Sequence, residues 1–169
     1  MGNLKVELVR CPEQADHVRL LAWEFVAWLK DRYPELELAI EEYLTNQDFR
    51  GMLDNLLEEF APPASECLLA KLDGEPVGIL MLKPFRDDIC EMNRMFVRPA
   101  GRGQGMGRAL CVRLIERARD LGYHTMVLSA LDKHDEALSL YRSLGFEADQ
   151  RAADADSAGN REVQMKLAL

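Results

Sequence analysis

The sequence predicts a single domain of mixed α/β class. Its expected order is an antiparallel meander, a glycine loop with its helix, a parallel crossover strand, a further helix and a C-terminal strand pair. Three observations lead there. Apolar residues recur at helical spacing over residues 13–60, and the period then shortens to that of strands from Cys67 to Val97. A run carrying Gly101, Gly103, Gly105 and Gly107 joins the last of those strands to a new amphipathic stretch. Beyond it, a short apolar run follows a helix, the pattern of a strand–helix–strand crossover with parallel strands. A chain of 169 residues with 48% hydrophobic content is enough for one substantial core, so residues 1–169 are expected to form one domain.

The elements follow in order. Leu4 to Val9 is prone to a first strand. Cys11-Pro12-Glu13 reads as a helix entry, with proline at the first helical position. Val18, Leu21, Ala22, Phe25, Val26 and Leu29 then mark a helix over 13–32, which Tyr33-Pro34 breaks. Ile40, Tyr43 and Leu44 lie on a second helix. Thr45 is read as the cap of a third, with Phe49, Met52, Leu53, Leu56, Leu57 and Phe60 on one face. Cys67 to Leu72 is a strand, Asp73-Gly74 a hairpin turn and Pro76 to Leu82 the return strand. Arg86-Asp87-Asp88 turns the chain into Ile89–Val97. After the glycine loop, Leu110, Cys111, Leu114, Ile115 and Ala118 mark a helix ended by Gly122. Thr125–Ser129 is a strand, Ala137, Leu138, Leu140 and Tyr141 lie on a helix that stops at Gly145, and strands near Phe146–Ala148 and Val163–Leu167 flank a polar loop.

A formal charge of -8 and a pI near 5.0 argue against a nucleic-acid binder, which needs basic surface to release counterions. Cys11, Cys67, Cys90 and Cys111 show neither C-x-x-C spacing nor a histidine cluster, so they are expected to be buried free thiols, with no metal. Neither a basic-then-apolar leader nor a bilayer-length apolar run is present, and the expectation is a cytoplasmic protein without a membrane partner. The charge is uneven. No carboxylate falls between Glu91 and Glu116, whereas Arg94, Arg98, Arg102, Arg108 and Arg113 do. Such a segment in an acidic chain suggests a local anion site.

The glycine loop sharpens that suggestion, because the first amides of a helix lack partners and sit in the positive end of its dipole. A dinucleotide fingerprint would need a further glycine or alanine at Met106, Arg108 or Leu110, and every register fails. A Walker loop needs a Gly-Lys pair, which the chain lacks. Arg102-Gly103-Gln104-Gly105-Met106-Gly107 instead resembles the pyrophosphate loop of the GNAT superfamily of acyl-CoA-dependent N-acyltransferases. Ala137-Leu138-Ser139-Leu140-Tyr141-Arg142-Ser143-Leu144-Gly145-Phe146 resembles that superfamily's A-x-x-x-Y-x-x-x-G-F segment, and Cys90–Pro99 a common form of its fourth strand. The element order agrees along most of the chain. Residues 13–60 match only as a helical block, the variable region that in this superfamily helps form the acceptor side, whereas 89–146 correspond to the acyl-CoA-binding core.

The resemblance implies an N-acetyltransferase. Acetyl would pass from the cosubstrate acetyl-CoA, without a metal, to a primary amine of a small molecule or protein by direct attack in a ternary complex. A non-catalytic acyl-CoA-binding regulatory module is the alternative. Arg102, Gly103, Gln104, Gly105, Met106, Gly107 and Arg108 would hold the pyrophosphate, with a β-carbon at Gly105 or Gly107 straining the loop and crowding the phosphate. Main-chain groups of Met95, Phe96 and Val97, at an expected bulge, would polarise the carbonyl. Tyr141 corresponds to the tyrosine that protonates the leaving thiolate. Glu91 is assigned as the base, acting through water, with attraction of a cationic acceptor or pairing with Arg94 as other roles. His134 departs from the asparagine many relatives carry, a change that would weaken a CoA contact or place an imidazole near the site, and reads first as an exposed loop histidine; His17 and His124 receive no role. Tyr33, Trp28, Tyr43, Phe49 and Phe60 are candidates for an acceptor pocket, and Asp154 and Asp156 for drawing in a cation. Homodimers are common in the superfamily, and the helical block offers a surface for one.

Overall fold

The computed structural model describes residues 2–149 and 162–169; Asp154 and Asp156 lie outside the described residues. A seven-stranded sheet organises the fold. Its strands are β1 (Leu4–Leu8), β2 (Glu66–Leu72), β3 (Glu75–Arg86), β4 (Ile89–Val97), β5 (Thr125–Leu131), β6 (Glu147–Ala148) and β7 (Glu162–Ala168), in the order β1-β2-β3-β4-β5-β7-β6. All neighbours are antiparallel except β4 and β5. The helices are α1 (Pro12–Arg32), α2 (Glu37–Asn46), α3 (Phe49–Asp54), α4 (Leu56–Glu59), α5 (Met106–Asp120) and α6 (Asp135–Ser143).

The central strands read as unbroken apolar runs because both faces of the sheet are covered. On one face Leu68, Leu80, Leu82 and Met92 pack with Leu110 and Leu114 of α5 and Leu138 of α6. On the other, Leu69, Ile79, Met81 and Phe96 meet Val18, Leu21 and Ala22 of α1 and Phe49, Leu53 and Leu56 of α3 and α4. The hairpin between β2 and β3 turns through Asp73 and Gly74, both with positive φ (51° and 88°), as the Asp-Gly pair predicts.

Three local expectations give way. Thr45 does not cap a helix. It lies inside α2, where its hydroxyl donates to the Glu41 carbonyl at 2.9 Å. Asp48 is the cap of α3, its carboxylate accepting from the Gly51 amide at 3.3 Å. The single third helix is also split at Asn55, whose backbone leaves helical geometry while its side chain donates to the Gly51 carbonyl at 3.1 Å. Among the cysteines, Cys67, Cys90 and Cys111 are buried free thiols, but Cys11 is exposed, because it occupies the cap position before α1 rather than a packed face. Burial pushes the Cys90 and Cys111 thiols up to about 12. No described helix is long and apolar enough to cross a membrane.

The feature that positions the site is a fault in the sheet. β4 pairs with β5 only through Ile89–Glu91 against Thr125–Val127. β5 stays paired to β7 along its whole length, to Leu131 opposite Glu162, and β4 continues along β3 to Val97 opposite Gly78. Beyond Glu91 and Val127 the two strands therefore part, leaving facing backbone edges unpaired. On its other edge β4 carries a bulge: Ile79 pairs with Phe96 but Met81 with Asn93, so Arg94 and Met95 stand opposite Leu80 alone. Arg94 takes the strained backbone angle there, φ 54°.

Candidate active site

A groove of about 500 Å³ runs from the end of β4, beyond the point where β4 leaves β5, to the start of α5, with α6 along its side. Its floor comes from Met95, Phe96 and Val97, the stretch from the bulge to the end of β4. One wall is the glycine loop, with Arg102, Gly103, Gly105, Met106, Gly107 and Arg108.

Local chemistry explains the wall. Pro99 opens a short 3-10 turn that closes through Gly101 N–H to Arg98 O at 2.9 Å and Arg102 N–H to Pro99 O at 3.1 Å. The chain then needs left-handed geometry twice, at Gly103 (φ 72°) and Gly105 (φ 78°), before α5 starts. No side chain among the described residues caps α5, and the first backbone bond to its N-terminus is Ala109 N–H to Gly105 O at 2.9 Å. The amides from Gly103 to Arg108 therefore have no backbone acceptor among the described residues, and Gly103, Gly105, Met106, Gly107 and Arg108 line the groove at the positive end of the helix dipole. Gly107 is different from Gly105. It has helical geometry within α5, and a β-carbon there would touch only Leu140 Cδ2, at an ordinary 3.4 Å, so the strain expected at Gly107 is absent.

The arginine-rich segment separates into distinct roles. Arg102 lines the groove, its Nε donating to Val97 O at 2.8 Å and its guanidinium 5.0 Å from the Trp28 ring centroid. Arg108 lines it too, with Nη1 donating to Ser143 Oγ at 3.1 Å. Arg98 is neutralised instead by Glu24, Nε donating to Oε2 at 2.7 Å and Nη2 to Oε1 at 2.5 Å. Arg113 pairs with Glu116, and Arg94 is buried on the opposite face of the sheet. A sixth arginine, Arg32 at the end of α1, joins the groove from far away in sequence. Gln104 does not line it; its side-chain amide donates to Ala100 O at 2.9 Å and braces the loop from outside.

The opposite rim is built by long-range packing. Trp28 of α1 sits against Phe96 and 5.3 Å from the His134 ring, and both Trp28 and His134 line the groove. Lys133 Nζ bonds Glu35 Oε1 at 2.8 Å beside them, tying the loop before α6 to the turn after α1. His134 is half-buried rather than exposed, and burial holds its imidazole below the usual histidine range, hence neutral at neutral pH.

Tyr141 is buried under the groove. Its hydroxyl donates to Met95 Sδ at 3.9 Å, and Met95 is the side chain that separates it from the opening. Burial pushes the phenol well above its ordinary value, so it carries its proton at any working pH, and a thioether is only a weak acceptor for it. Glu91 is the last β4 residue paired with β5, at the apex of the opening. It accepts from Asn93 Nδ2 at 3.2 Å, while Asn93 Oδ1 accepts from Arg94 Nη1, so Glu91 reaches Arg94 only through Asn93. Of the proposed acceptor aromatics, Trp28 reaches the groove, whereas Tyr33, Phe49 and Phe60 are buried and Tyr43 is exposed on α2.

A coenzyme A molecule fits this donor set. The free amides and Arg102 and Arg108 suit a pyrophosphate, and the unpaired edges of β4 and β5 suit an amide-bearing arm laid between them. Residues 22–146 match the Acetyltransferase (GNAT) family. The chain is 31% identical over 151 residues to the uncharacterized N-acetyltransferase C1271.07c of Schizosaccharomyces pombe, across 88% of this chain and 86% of that protein. It is 33% identical over 116 residues to the uncharacterized N-acetyltransferase YjgM of Escherichia coli, across 67% of this chain and 70% of that one. Its fold superposes on the PaiA N-acetyltransferase of Thermoplasma acidophilum, solved in complex with coenzyme A, with a TM-score of 0.73 at 18% identity over 99% of both chains.

Proposed function

The chain belongs to the GNAT acetyltransferase family, and on that premise we propose that it transfers acetyl from acetyl-CoA to a primary amine within a ternary complex. Acetyl-CoA would supply the activated carbonyl and a thiolate leaving group. The remaining work falls to the chain. Gly103 to Arg108 hold the pyrophosphate through main-chain amides, with Arg102 and Arg108 adding charge. The free edge of β4 at Met95–Val97 presents backbone donors to the carbonyl oxygen, a contact worth ~3–4 kcal/mol of barrier. Tyr141, kept protonated by burial and bonded among the described residues to the Met95 thioether, donates its proton to the departing sulfur once the Met95 side chain moves from between them. Glu91, at the apex where the strands separate, accepts the amine's proton through water. Residues 89–146 thus serve the acyl donor, and 13–60 border the acceptor.

The observation that carries this reading is that the unpartnered amides at the start of α5 and the unpaired half of β4 face one groove. The test is product formation from acetyl-CoA across a broad amine panel, with Tyr141→Phe compared in parallel. Tyr141→Phe is expected to lower kcat by about 100-fold or more while leaving CoA affinity near that of the native protein. CoA binding without turnover on any amine would instead favour the non-catalytic acyl-CoA-binding module, and an unchanged kcat in Tyr141→Phe would remove Tyr141 as the acid.

A further inference from the structure

Arg94 is 7% exposed, and its Nε and Nη2 are buried with no hydrogen-bond partner among the described residues. The rest of the guanidinium is satisfied. Nη1 donates to Asn93 Oδ1 at 3.2 Å, and the guanidinium carbon lies 5.3 Å from the Phe49 ring centroid. What is left over is one edge with two parallel N–H groups, the fork that fits a carboxylate bidentately. The same edge is filled elsewhere in this molecule: Nε and Nη2 of Arg98 grip the two oxygens of Glu24, and those of Arg117 converge on Glu66 Oε2. At Arg94 no carboxylate among the described residues fills it, because Asn93 stands between it and Glu91.

Leaving a buried guanidinium edge unpaired is costly, and the backbone at Arg94 is strained as well. Both costs sit at the bulge. Met95, the next residue, lines the acyl groove, while Arg94 points to the helical block. Lys83 of β3, paired with Glu91 in register, adds a second cation on this side; burial, with the like charge of Arg94 added, holds its ammonium below the usual lysine range. The neighbouring cover is light, since α2, which brings Tyr43 near Arg94, buries none of its residues. Glu91 and Arg94 thus offer one negative and one positive group on either side of Asn93, next to the acyl groove.

We propose that the Nε–Nη2 edge of Arg94 binds a carboxylate of the acceptor, which makes the acceptor an amino carboxylate whose ammonium end is drawn to Glu91. This rests on the N-acetyltransferase reading above. The test uses matched sets of acceptors, each an α-amino acid, its carboxamide and the amine lacking the group, in two measurements on the full chain. In the first, acetylation is followed with acetyl-CoA. The carboxylate member of a set is expected to exceed its carboxamide in kcat/KM by about 10- to 100-fold, chiefly through KM. Arg94→Gln should erase that preference while acetylation of the neutral amines persists, and Arg94→Lys, which keeps charge but not the fork, should restore only part of it. In the second, binding of the same compounds to the CoA-loaded protein is measured by calorimetry, which needs no turnover. Carboxylate-selective binding lost in Arg94→Gln supports the proposal even where no acetylation occurs, an outcome that refutes the enzymatic reading alone. Equal use and equal binding of carboxylate and carboxamide by the native protein overturn the proposal and leave the acetyltransferase reading intact. A uniform loss across all amines in Arg94→Gln, with no native preference, assigns Arg94 to holding the bulge and likewise overturns it.

Discussion

Replacing Gly105 by alanine separates backbone strain from ligand binding at the glycine loop. Gly105 has φ 78°, and a β-carbon built there meets no atom within 4 Å, so the substitution costs conformational energy and no clash. Left-handed geometry costs an L-residue about 1–2 kcal/mol. For a chain of this length each kcal/mol lowers Tm by about 2–4 °C, so a fall of roughly 2–8 °C is expected by calorimetry. If the loop relieves that strain by rotating, the Met106 amide that follows turns away from the groove. One charge-assisted bond to a phosphate is then lost, worth about 1.5–3 kcal/mol, or roughly 10- to 150-fold in Kd for CoA by titration calorimetry. Gly107→Ala is the control. Its position is helical, alanine is favoured over glycine there by about 0.5–1 kcal/mol, and the new methyl meets only Leu140. Its Tm should hold or rise, while its β-carbon narrows the groove and weakens CoA binding. If both variants bind CoA like the native protein, the amides of this loop do not hold the pyrophosphate.

Two further predictions concern the scaffold. Glu66, with no exposed surface, accepts from Arg10 Nη1 and Nη2 at 2.6 and 2.8 Å and from Arg117 Nε and Nη2 at 3.1 Å, joining β2 to the start of α1 and to α5. Glu66→Gln should cost about 3 kcal/mol in denaturant unfolding, the low end for breaking a buried pair because Arg10 reaches water; a loss below about 0.5 kcal/mol would show the network to be incidental. Hydrogen bonds from Lys5 first, then Gln14, hold the Glu7 carboxyl down to about 2 from the usual 4.5, with Lys71 assisting. A depressed carboxylate stabilises the fold above its unfolded value and stops doing so as pH falls through the folded one. The stability difference between the native protein and Glu7→Gln should therefore be full at neutral pH and close between about 4.5 and 2; a difference constant across that window would refute the assignment.

What was legible in the sequence was what is encoded locally. The loop and the Tyr141 segment each place their glycines, proline and aromatic within a dozen residues, and the hairpin at Asp73-Gly74 is a backbone requirement stated by residue type. The bulge was expected at Met95–Val97 from resemblance, but its position at Arg94 depends on counting β4 against β3, which no single strand contains. That one extra residue also overturns the period-2 reading of faces. Met92 packs towards α5, whereas Arg94, two residues on, meets Phe49 on the other side. Five arginines between Glu91 and Glu116 looked like one anion site, yet Glu24 and Glu116 neutralise two of them and the bulge turns a third away. Trp28, one of five aromatics named as pocket candidates, and His134 and Arg32 are brought to the groove by α1 packing across β4 and Lys133 meeting Glu35, long-range contacts that the residues around them do not specify.

The account stands on where coenzyme A lies, and a crystal structure of the acetyl-CoA complex reads that directly. The pyrophosphate oxygens should fall within hydrogen-bond distance of amides between Gly103 and Arg108, with the thioester lodged where β4 and β5 part beyond Glu91 and Val127 and its sulfur facing Tyr141. A pyrophosphate bound away from the start of α5, or β4 and β5 paired along their full length in the complex, would contradict it.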